Sequence, residues 1–156
     1  MKSKKKKKLT FRQAVEATDD ISECFRNGLQ GLGNHSGKII LGNTTQCSGS
    51  VNLDACTLQK YPQANRWDYI FCYKGEAFFV EVHSANTGEV STVIRKLQWL
   101  RDWLNGSANE INSLKAKSSG PFYWVQSSGF HIPQNSPQFR LAAQSGIKPV
   151  ALVKLP

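Results

Sequence analysis

Two acidic residues and a histidine stand in or beside two apolar segments of this 156-residue chain. Asp68 opens the segment DYIFCY, and Glu81 comes late in the segment AFFVEVH, which His83 ends. An ionised carboxylate within a buried strand costs several kcal/mol unless a partner compensates it. Two converging acids and a backbone carbonyl form an oxygen cage that suits Mg²⁺. Such an ion can polarise a phosphodiester and activate a water molecule for in-line attack.

The elements around these acids must bring them together. Residues Asp68 to Tyr73 and Ala77 to His83 are predicted strands joined by a tight turn. Since the strands of a hairpin run antiparallel, Asp68 and Glu81 should lie at the same edge of the sheet. Residues two apart on a strand share a face, so His83 should point the same way as Glu81.

The first part of the chain has a helical pattern. Thr10 is followed by Gln13 at the spacing of a capping box, and apolar residues then keep a roughly helical rhythm as far as Leu32. Asp20 and Glu23 form a second pair with capping-box spacing, which indicates a break in the helix before them.

The rest of the chain alternates helices with strands. Further strands are predicted over Lys38–Leu41, Ser50–Ala55, Phe122–Gln126 and Pro149–Leu155, and further helices over Val90–Leu104 and Ser136–Ser145. The order is helix, three strands in a meander, helix, strand, helix, strand. It predicts one α/β domain over residues 10–156, an α/β/α sandwich with a central mixed sheet.

The glycine-rich stretch GLQGLGNHSGK before the first strand invites comparison with a phosphate-binding loop. The comparison fails, because Leu32 holds the position of a required glycine and Ile39 stands where the loop needs Ser or Thr. The stretch is predicted to be a turn between a helix and a strand.

The cysteines and the apolar segments bear on location. No two of the cysteines have the close spacing of a zinc site or a redox pair, which favours reduced, mostly buried thiols in a cytoplasmic protein. No apolar run approaches the roughly 20 residues of a membrane helix, and the lysine run leads into an amphipathic segment, unlike a secretory signal. The cysteines are Cys24, Cys47, Cys56 and Cys72.

Positive charge is concentrated at the amino-terminal end. Lys2 and Lys4–Lys8 supply six of the nine net positive charges, so nine minus six leaves +3 for the rest of the chain. A tail over residues 1–9 is predicted to be disordered. It either binds phosphate backbones or only solubilises the protein. The lysines that would contact nucleic acid are Lys4, Lys5, Lys6, Lys7 and Lys8.

Asp68, then Glu81-Val82-His83 at the end of an apolar strand, then an amphipathic helix, resembles the motif of the PD-(D/E)xK nuclease superfamily, the restriction-endonuclease-like fold. The α-β-β-β-α-β order is similar from about Thr10 onward. The resemblance implies a nuclease that uses Mg²⁺ or Mn²⁺ and acts on DNA more readily than on RNA. Asp68 and Glu81 would bind the metal, and Val82 would lend its carbonyl.

The same resemblance implies further features. Glu23, on the first helix, would correspond to an additional acid that some members carry. A homodimer or a larger complex is compatible with the resemblance, because the cleavage of a duplex needs two sites.

One residue departs from the family's pattern, which ends in lysine where this chain has His83. His83 could itself act as an acid, a base or a water orienter. Alternatively Lys96, one helix later, could reach the site, because a catalytic charge matters by its position in space. A further alternative is a degenerate subunit of the same fold that binds nucleic acid or a protein partner without cleaving.

Structural roles stay open for each of these residues. Asp68 could cap a turn or pair with Arg66, and Glu81 could pair with Arg95 or Lys96. Lys96 could also extend along the apolar face of its helix without a function.

Other polar residues are weaker candidates. Asp54 lies inside a predicted strand and is a further candidate acid. His35 and His131 lie in predicted loops, and the sequence identifies no partner for either.

Overall fold

A six-stranded mixed sheet forms the centre of the fold. The computed structural model describes residues 8–117, 119–147 and 149–156. In chain order the strands are β1 (Arg26–Asn27), β2 (Ile39–Leu41), β3 (Gly49–Asn52), β4 (Tyr69–Tyr73), β5 (Glu76–Asn86), β6 (Phe122–His131), β7 (Pro149–Val150) and β8 (Val153–Leu155). The α-helices are α1 (Phe11–Glu16), α2 (Leu53–Thr57), α3 (Val90–Gly106), α4 (Asn109–Ser113) and α5 (Pro137–Gln144).

The order of strands in this sheet is β1-β3-β4-β5-β6-β7, and β2 pairs with β8 separately. The run from β1 through β3 and β4 to β5 is antiparallel, whereas β6 joins β5 in parallel and β7 joins β6 in parallel. The predicted mixed α/β architecture with a central mixed sheet is therefore confirmed.

The hairpin between β4 and β5 follows from its turn residues. Lys74 and Gly75 both have positive φ, at 51° and 79°, which is the backbone that a two-residue hairpin turn of the favoured hand requires. Tyr73 pairs with Glu76 directly beside the turn, and Tyr69 pairs with Val80 at the far end. This register brings the residue before β4 opposite the residue after Val80.

One face of the sheet carries the α-helices. Helices α1, α3, α4 and α5 contribute side chains to a core that includes Ile70 of β4, Phe79 of β5 and Trp124 of β6. The apolar face predicted for α3 is confirmed, because its buried residues recur at helical spacing. These residues are Val90, Val93, Leu97, Leu100, Trp103 and Leu104.

The other face is covered differently from the prediction. Leu32, Ile39 and Leu155 pack against Phe71 and Val80 there. They belong to a 3₁₀ segment over residues 30–38 and to the β2–β8 pair, so these elements stand where an α/β/α sandwich has a second layer of α-helices. The glycine content of the 3₁₀ segment explains the difference, because each glycine disfavours an α-helix.

The first helix is shorter than its apolar rhythm predicts. The capping box is present, since Thr10 Oγ1 accepts a hydrogen bond from Gln13 N at 3.1 Å and Gln13 Oε1 accepts one from Thr10 N at 2.9 Å. Helix α1 ends at Glu16, so the break predicted before Asp20 is confirmed and the helical continuation beyond it to Leu32 is wrong.

The carboxylate of Asp20 is used in tertiary packing and not as a cap. It accepts hydrogen bonds from Tyr61 Oη at 2.7 Å and from Trp103 Nε1 at 3.0 Å, and it pairs with Lys60. These long-range contacts compete with the local bond that the sequence predicts.

Two strand predictions also need correction. The strand expected over Ser50–Ala55 ends at Asn52, whose Oδ1 accepts a hydrogen bond from Ala55 N at 3.0 Å and so caps α2. Asp54 therefore lies on a helix. The strand expected over Pro149–Leu155 is divided into β7 and β8, which belong to different sheets.

The tail prediction falls almost entirely outside the described residues, which begin at Lys8. Lys8 and Leu9 are exposed. No helix among the described ranges is both long and apolar enough to cross a membrane.

A disulfide joins Cys24 to Cys56, with a Cα–Cα distance of 6.4 Å. The prediction of reduced thiols is therefore wrong for these two residues. The sequence could not show this pairing, because the two cysteines are 32 positions apart and become neighbours only when α2 packs beside the turn before β1. Cys47 and Cys72 are free thiols, and burial, followed by the nearby Cys72, raises the pKa of Cys47 to about 11.

We expect the double variant Cys24→Ser, Cys56→Ser to lose about 4 kcal/mol of unfolding free energy. The disulfide restricts the unfolded chain by closing a loop with a sequence separation of 32. Urea denaturation with and without reductant measures the effect, and Cys47→Ser is the matched control. Equal stability of the wild type in oxidising and reducing buffer would contradict the prediction.

Candidate functional site

Asp68 and Glu81 lie side by side at one end of the β4–β5 hairpin. The backbone N–H of Asp68 donates to Glu81 Oε1 at 3.1 Å, and the backbone N–H of Val82 donates to Asp68 Oδ2 at 3.0 Å. Each carboxylate is thus held by the neighbouring strand. The expectation that the two acids share one edge of the sheet is confirmed in geometry.

Lys96 reaches the same point from helix α3. Its ammonium forms an ion pair with Glu81 Oε2 and lies 3.5 Å from Asp68 Oδ1. Only 15% of its side chain is exposed, because neighbouring residues of α3 such as Leu97 and Leu100 pack into the core. The structure therefore brings Lys96 to both acids. A lysine that replaced the motif lysine from outside the strand would have to lie here.

The charges of this acidic pair, Asp68 and Glu81, are unequally buried. Glu81 is fully buried, and its burial, followed by the charge of Asp68, raises its pKa to about 8 although Lys96 opposes the shift. Burial alone would lower the pKa of Lys96, but Glu81 and Asp68 outweigh it, so that pKa is raised. Two carboxylates therefore share one ammonium, and a pKa of about 8 keeps Glu81 largely protonated near pH 7 unless a second cation binds.

His83 lies beside this group but faces a different partner. Its Nε2 is 2.7 Å from Glu89 Oε2, and its Nδ1 is 3.7 Å from Glu81 Oε2. A carboxylate can only accept, so Nε2 carries a proton toward Glu89. Trp124 Nε1 donates to the carbonyl of His83 at 3.1 Å, and the register of β5 against β6 shifts just after His83. Such an irregularity can re-aim a side chain.

Glu89 is the site residue that sequence reasoning missed. It ends a 3₁₀ turn, Thr87–Glu89, that leads into α3. Its separation of six residues from His83 matches neither a strand nor a helix period, so no periodic signal pointed to the pair. The only available signal was an acid near the start of a helix, where acids are common for electrostatic reasons.

Two of the alternative ion pairs, Asp68–Arg66 and Glu81–Arg95, are not found among the described residues. Arg66 Nε donates to Asp54 Oδ1 at 2.9 Å, so Arg66 pairs with Asp54 and leaves Asp68 to Lys96. Arg95 lies exposed and donates to Thr92 Oγ1 at 3.3 Å. Lys96 is thus the partner of Glu81, which is one of the two alternatives predicted from the sequence.

Glu23 is not on the first helix, contrary to the prediction. It is exposed in the turn before β1, because α1 ends early. Among the described residues, the structure shows no hydrogen bond or ion pair between its carboxylate and the acidic pair. The geometry therefore does not bring Glu23 to the site.

His35 has a partner that the sequence did not identify. Its Nδ1 is 2.8 Å from Tyr69 Oη, and the two rings meet edge to face with centroids 5.6 Å apart. Tyr69 directly follows Asp68, so its side chain points to the opposite face of the sheet.

The described part of the site offers a metal ion few protein ligands. Within the residues that are described, no group of three or more His, Cys, Asp or Glu side chains is placed to bind a metal ion. The hard oxygens of Asp68 and Glu81 fit Mg²⁺ or Mn²⁺, since Mg²⁺ commonly keeps several waters and takes one or two carboxylates with substrate phosphates. The ammonium of Lys96 lies between these same oxygens.

Lys4–Lys7 lie outside the described residues, and Lys8 is exposed. Contact of this tail with nucleic acid therefore stays a prediction.

No match to a known protein supports or contradicts the geometry of this site. Asp68, Glu81 and Lys96 converge through contacts between two strands and one helix, and His83 is adjacent. Comparison of the chain with protein-family models, with characterised proteins and with solved structures gives no match.

Proposed function

We propose that this chain is a metal-dependent nuclease that hydrolyses phosphodiester bonds in DNA, with a restriction-endonuclease-like domain over residues 10–156. The observation that supports it is the convergence of Lys96 on Asp68 and the buried Glu81. A purely structural ion pair would be satisfied by one carboxylate. Here two acids are held together beside a helix that supplies one cation.

Each residue has a role in this proposal. Asp68 and Glu81, with the carbonyl of Val82, would hold Mg²⁺ or Mn²⁺, which supplies Lewis-acid activation of water and phosphate. Lys96 stabilises the negative charge that develops on the phosphate oxygens. His83, held through Nε2 by Glu89, presents Nδ1 toward Glu81 and orients a water molecule beside it.

The second candidate function is a subunit of the same fold that binds nucleic acid or a protein without cleaving. Two observations favour it. His83 stands where the resemblance expects a lysine, and the described part of the chain offers no three-ligand group for a metal.

Location and assembly belong to the same proposal. We infer DNA as the main partner, with a homodimer or a larger complex where a duplex is cut. The expected cytoplasmic location stays a prediction, and the Cys24–Cys56 disulfide weighs against it, because structural disulfides persist mainly in oxidising compartments.

A cleavage assay tests the function directly. Purified wild type is incubated with plasmid, single-stranded DNA and RNA in Mg²⁺, in Mn²⁺ and in EDTA, and Asp68→Asn is the matched inactive variant. Cleavage of DNA that needs the metal and disappears in Asp68→Asn supports the nuclease. Binding without cleavage, with an affinity that falls steeply with salt, selects the second candidate.

Deletion of residues 1–8 should weaken the binding of DNA and lower its dependence on salt. Each phosphate contact contributes about one unit to the slope of log affinity against log salt, so the slope should fall by a few units at most. Fluorescence anisotropy with labelled DNA over a range of salt concentrations measures it. An unchanged slope would assign the lysine tail to solubility alone.

A further inference from the structure

A second surface feature lies at the end of the sheet where β4 begins. A cavity of about 640 Å³ opens next to Tyr69, and the glycine-rich stretch forms one of its walls through Gly33, Asn34 and His35. Its size falls within the range of small-ligand sites. The glycine-rich stretch, which does not match a phosphate-binding loop, thus borders a cavity.

The position of the cavity connects it to the site. Tyr69 and Asp68 are consecutive, and consecutive residues of an extended strand point to opposite faces. The carbonyl of Asp68 accepts hydrogen bonds from Leu53 N at 2.9 Å and Asp54 N at 3.3 Å, and these two residues lie between Asn52 and Ala55 of the cavity lining. A DNA strand that passes around this end of the sheet with one phosphate at Asp68 would have its next nucleotide at the edge of the cavity.

The lining groups have the chemistry of nucleotide recognition. The rings of Tyr69 and His35 offer surfaces on which a base can stack. The amides of Asn34 and Asn52 can pair with base edges, and Arg26 can contact a phosphate. Asn52 uses its carbonyl oxygen to cap α2, which leaves its amide N–H₂ as a donor.

The backbone at Gly33 is also open toward a ligand. Its φ is +52°, and a Cβ placed there would meet no atom within 4 Å. Glycine is suited to this conformation, and it lets a ligand approach the main chain closely.

We propose that this cavity binds one unpaired nucleotide next to the phosphodiester that would be hydrolysed at Asp68 and Glu81. The proposal rests on the proposed function, and it names the substrate class as single-stranded or locally unpaired DNA. A base inside a duplex could not enter, because it would first have to leave its stack.

Binding measured without cleavage tests this. The probe is a short, fluorescein-labelled single-stranded oligodeoxynucleotide in EDTA, compared with its duplex by fluorescence anisotropy. We expect Tyr69→Ala and His35→Ala each to weaken single-strand binding by about tenfold, the effect of losing one stacked base. The matched control is Tyr123→Ala, since Tyr123 lies on the same face of the sheet but outside this cavity. Thermal melting confirms that each variant folds.

The outcomes separate this inference from the enzyme proposal. If the wild type cleaves and both cavity variants bind single strands as the wild type does, the cavity proposal is wrong and the nuclease stands. If the variants lose binding and no metal supports cleavage, the cavity binds an unpaired nucleotide but the nuclease falls. Equal losses for single strand and duplex, or for Tyr123→Ala, would also overturn the cavity proposal.

Discussion

Lys96→Ala is expected to lower the rate of DNA cleavage by about 10²-fold or more. Lys96 contributes a fixed charge beside both carboxylates, where the developing charge of the phosphate needs compensation. His83 pairs mainly with Glu89 and lies farther from Glu81, so His83→Ala should lower the rate by only about tenfold. Single-turnover cleavage in Mg²⁺ and in Mn²⁺ measures both effects.

The matched control for Lys96→Ala is Arg95→Ala. Arg95 is the preceding residue of the same helix, but it is exposed, so its removal changes the charge without reaching the acids. If the rate for Arg95→Ala were as low as that for Lys96→Ala, the effect would come from the loss of any positive charge on the helix and not from the position of Lys96. If the wild type never cleaves but His83→Lys does, the chain is a degenerate nuclease and the enzyme proposal is wrong.

Glu81→Gln is expected to remove most of the dependence of stability on pH between about 4.5 and about 8. The fold raises the pKa of Glu81 from an ordinary 4.5 to about 8 through burial and Asp68. The folded state therefore binds this proton more tightly than the unfolded chain does. Its stabilising effect is complete below pH 4.5 and is lost as the pH rises through about 8.

The glutamine carries no proton to lose, so we expect the metal-free variant to be more stable than the wild type above pH 8, on the order of a few kcal/mol. It should also be inactive, because an amide is a poor ligand for Mg²⁺. Thermal melting across pH measures the first effect, and the exposed Glu16→Gln is its control. Severe unfolding of Glu81→Gln at every pH would instead show a structural ion pair.

The local parts of this site were predictable from sequence. The hairpin has a turn signal at Lys74 and Gly75 and apolar strands on both sides, so the alignment of Asp68 with Glu81 followed from strand pairing. The regular apolar spacing of α3 also fixed which side of the helix faces the sheet. Lys96 was near that side, which made its approach to Glu81 a reasonable alternative before the fold was known.

The remaining features depend on contacts between distant segments. Cys24 and Cys56 pair only because α2 packs beside the turn before β1. The β2–β8 pair joins Ile39 to Val153 in parallel, and neither short segment carries a signal for the other. Strand β3 ends at Asn52 because the side chain of Asn52 caps α2. The alternation of apolar residues gives no signal for such a cap.

Two buried tryptophans lie beside the two acids, one next to Asp68 in the sequence and one next to Glu81 in the sheet. Trp67 precedes Asp68 and is fully buried, while Trp124 is the register partner of Glu81 and donates its indole N–H to the carbonyl of His83. Indole emission responds to nearby charge and to changes in hydrogen bonding. Replacing the stacked Trp99 and Trp103 by phenylalanine would leave this pair as the main emitters. The chain then carries an intrinsic optical reporter of any charge that enters or leaves the acidic pair.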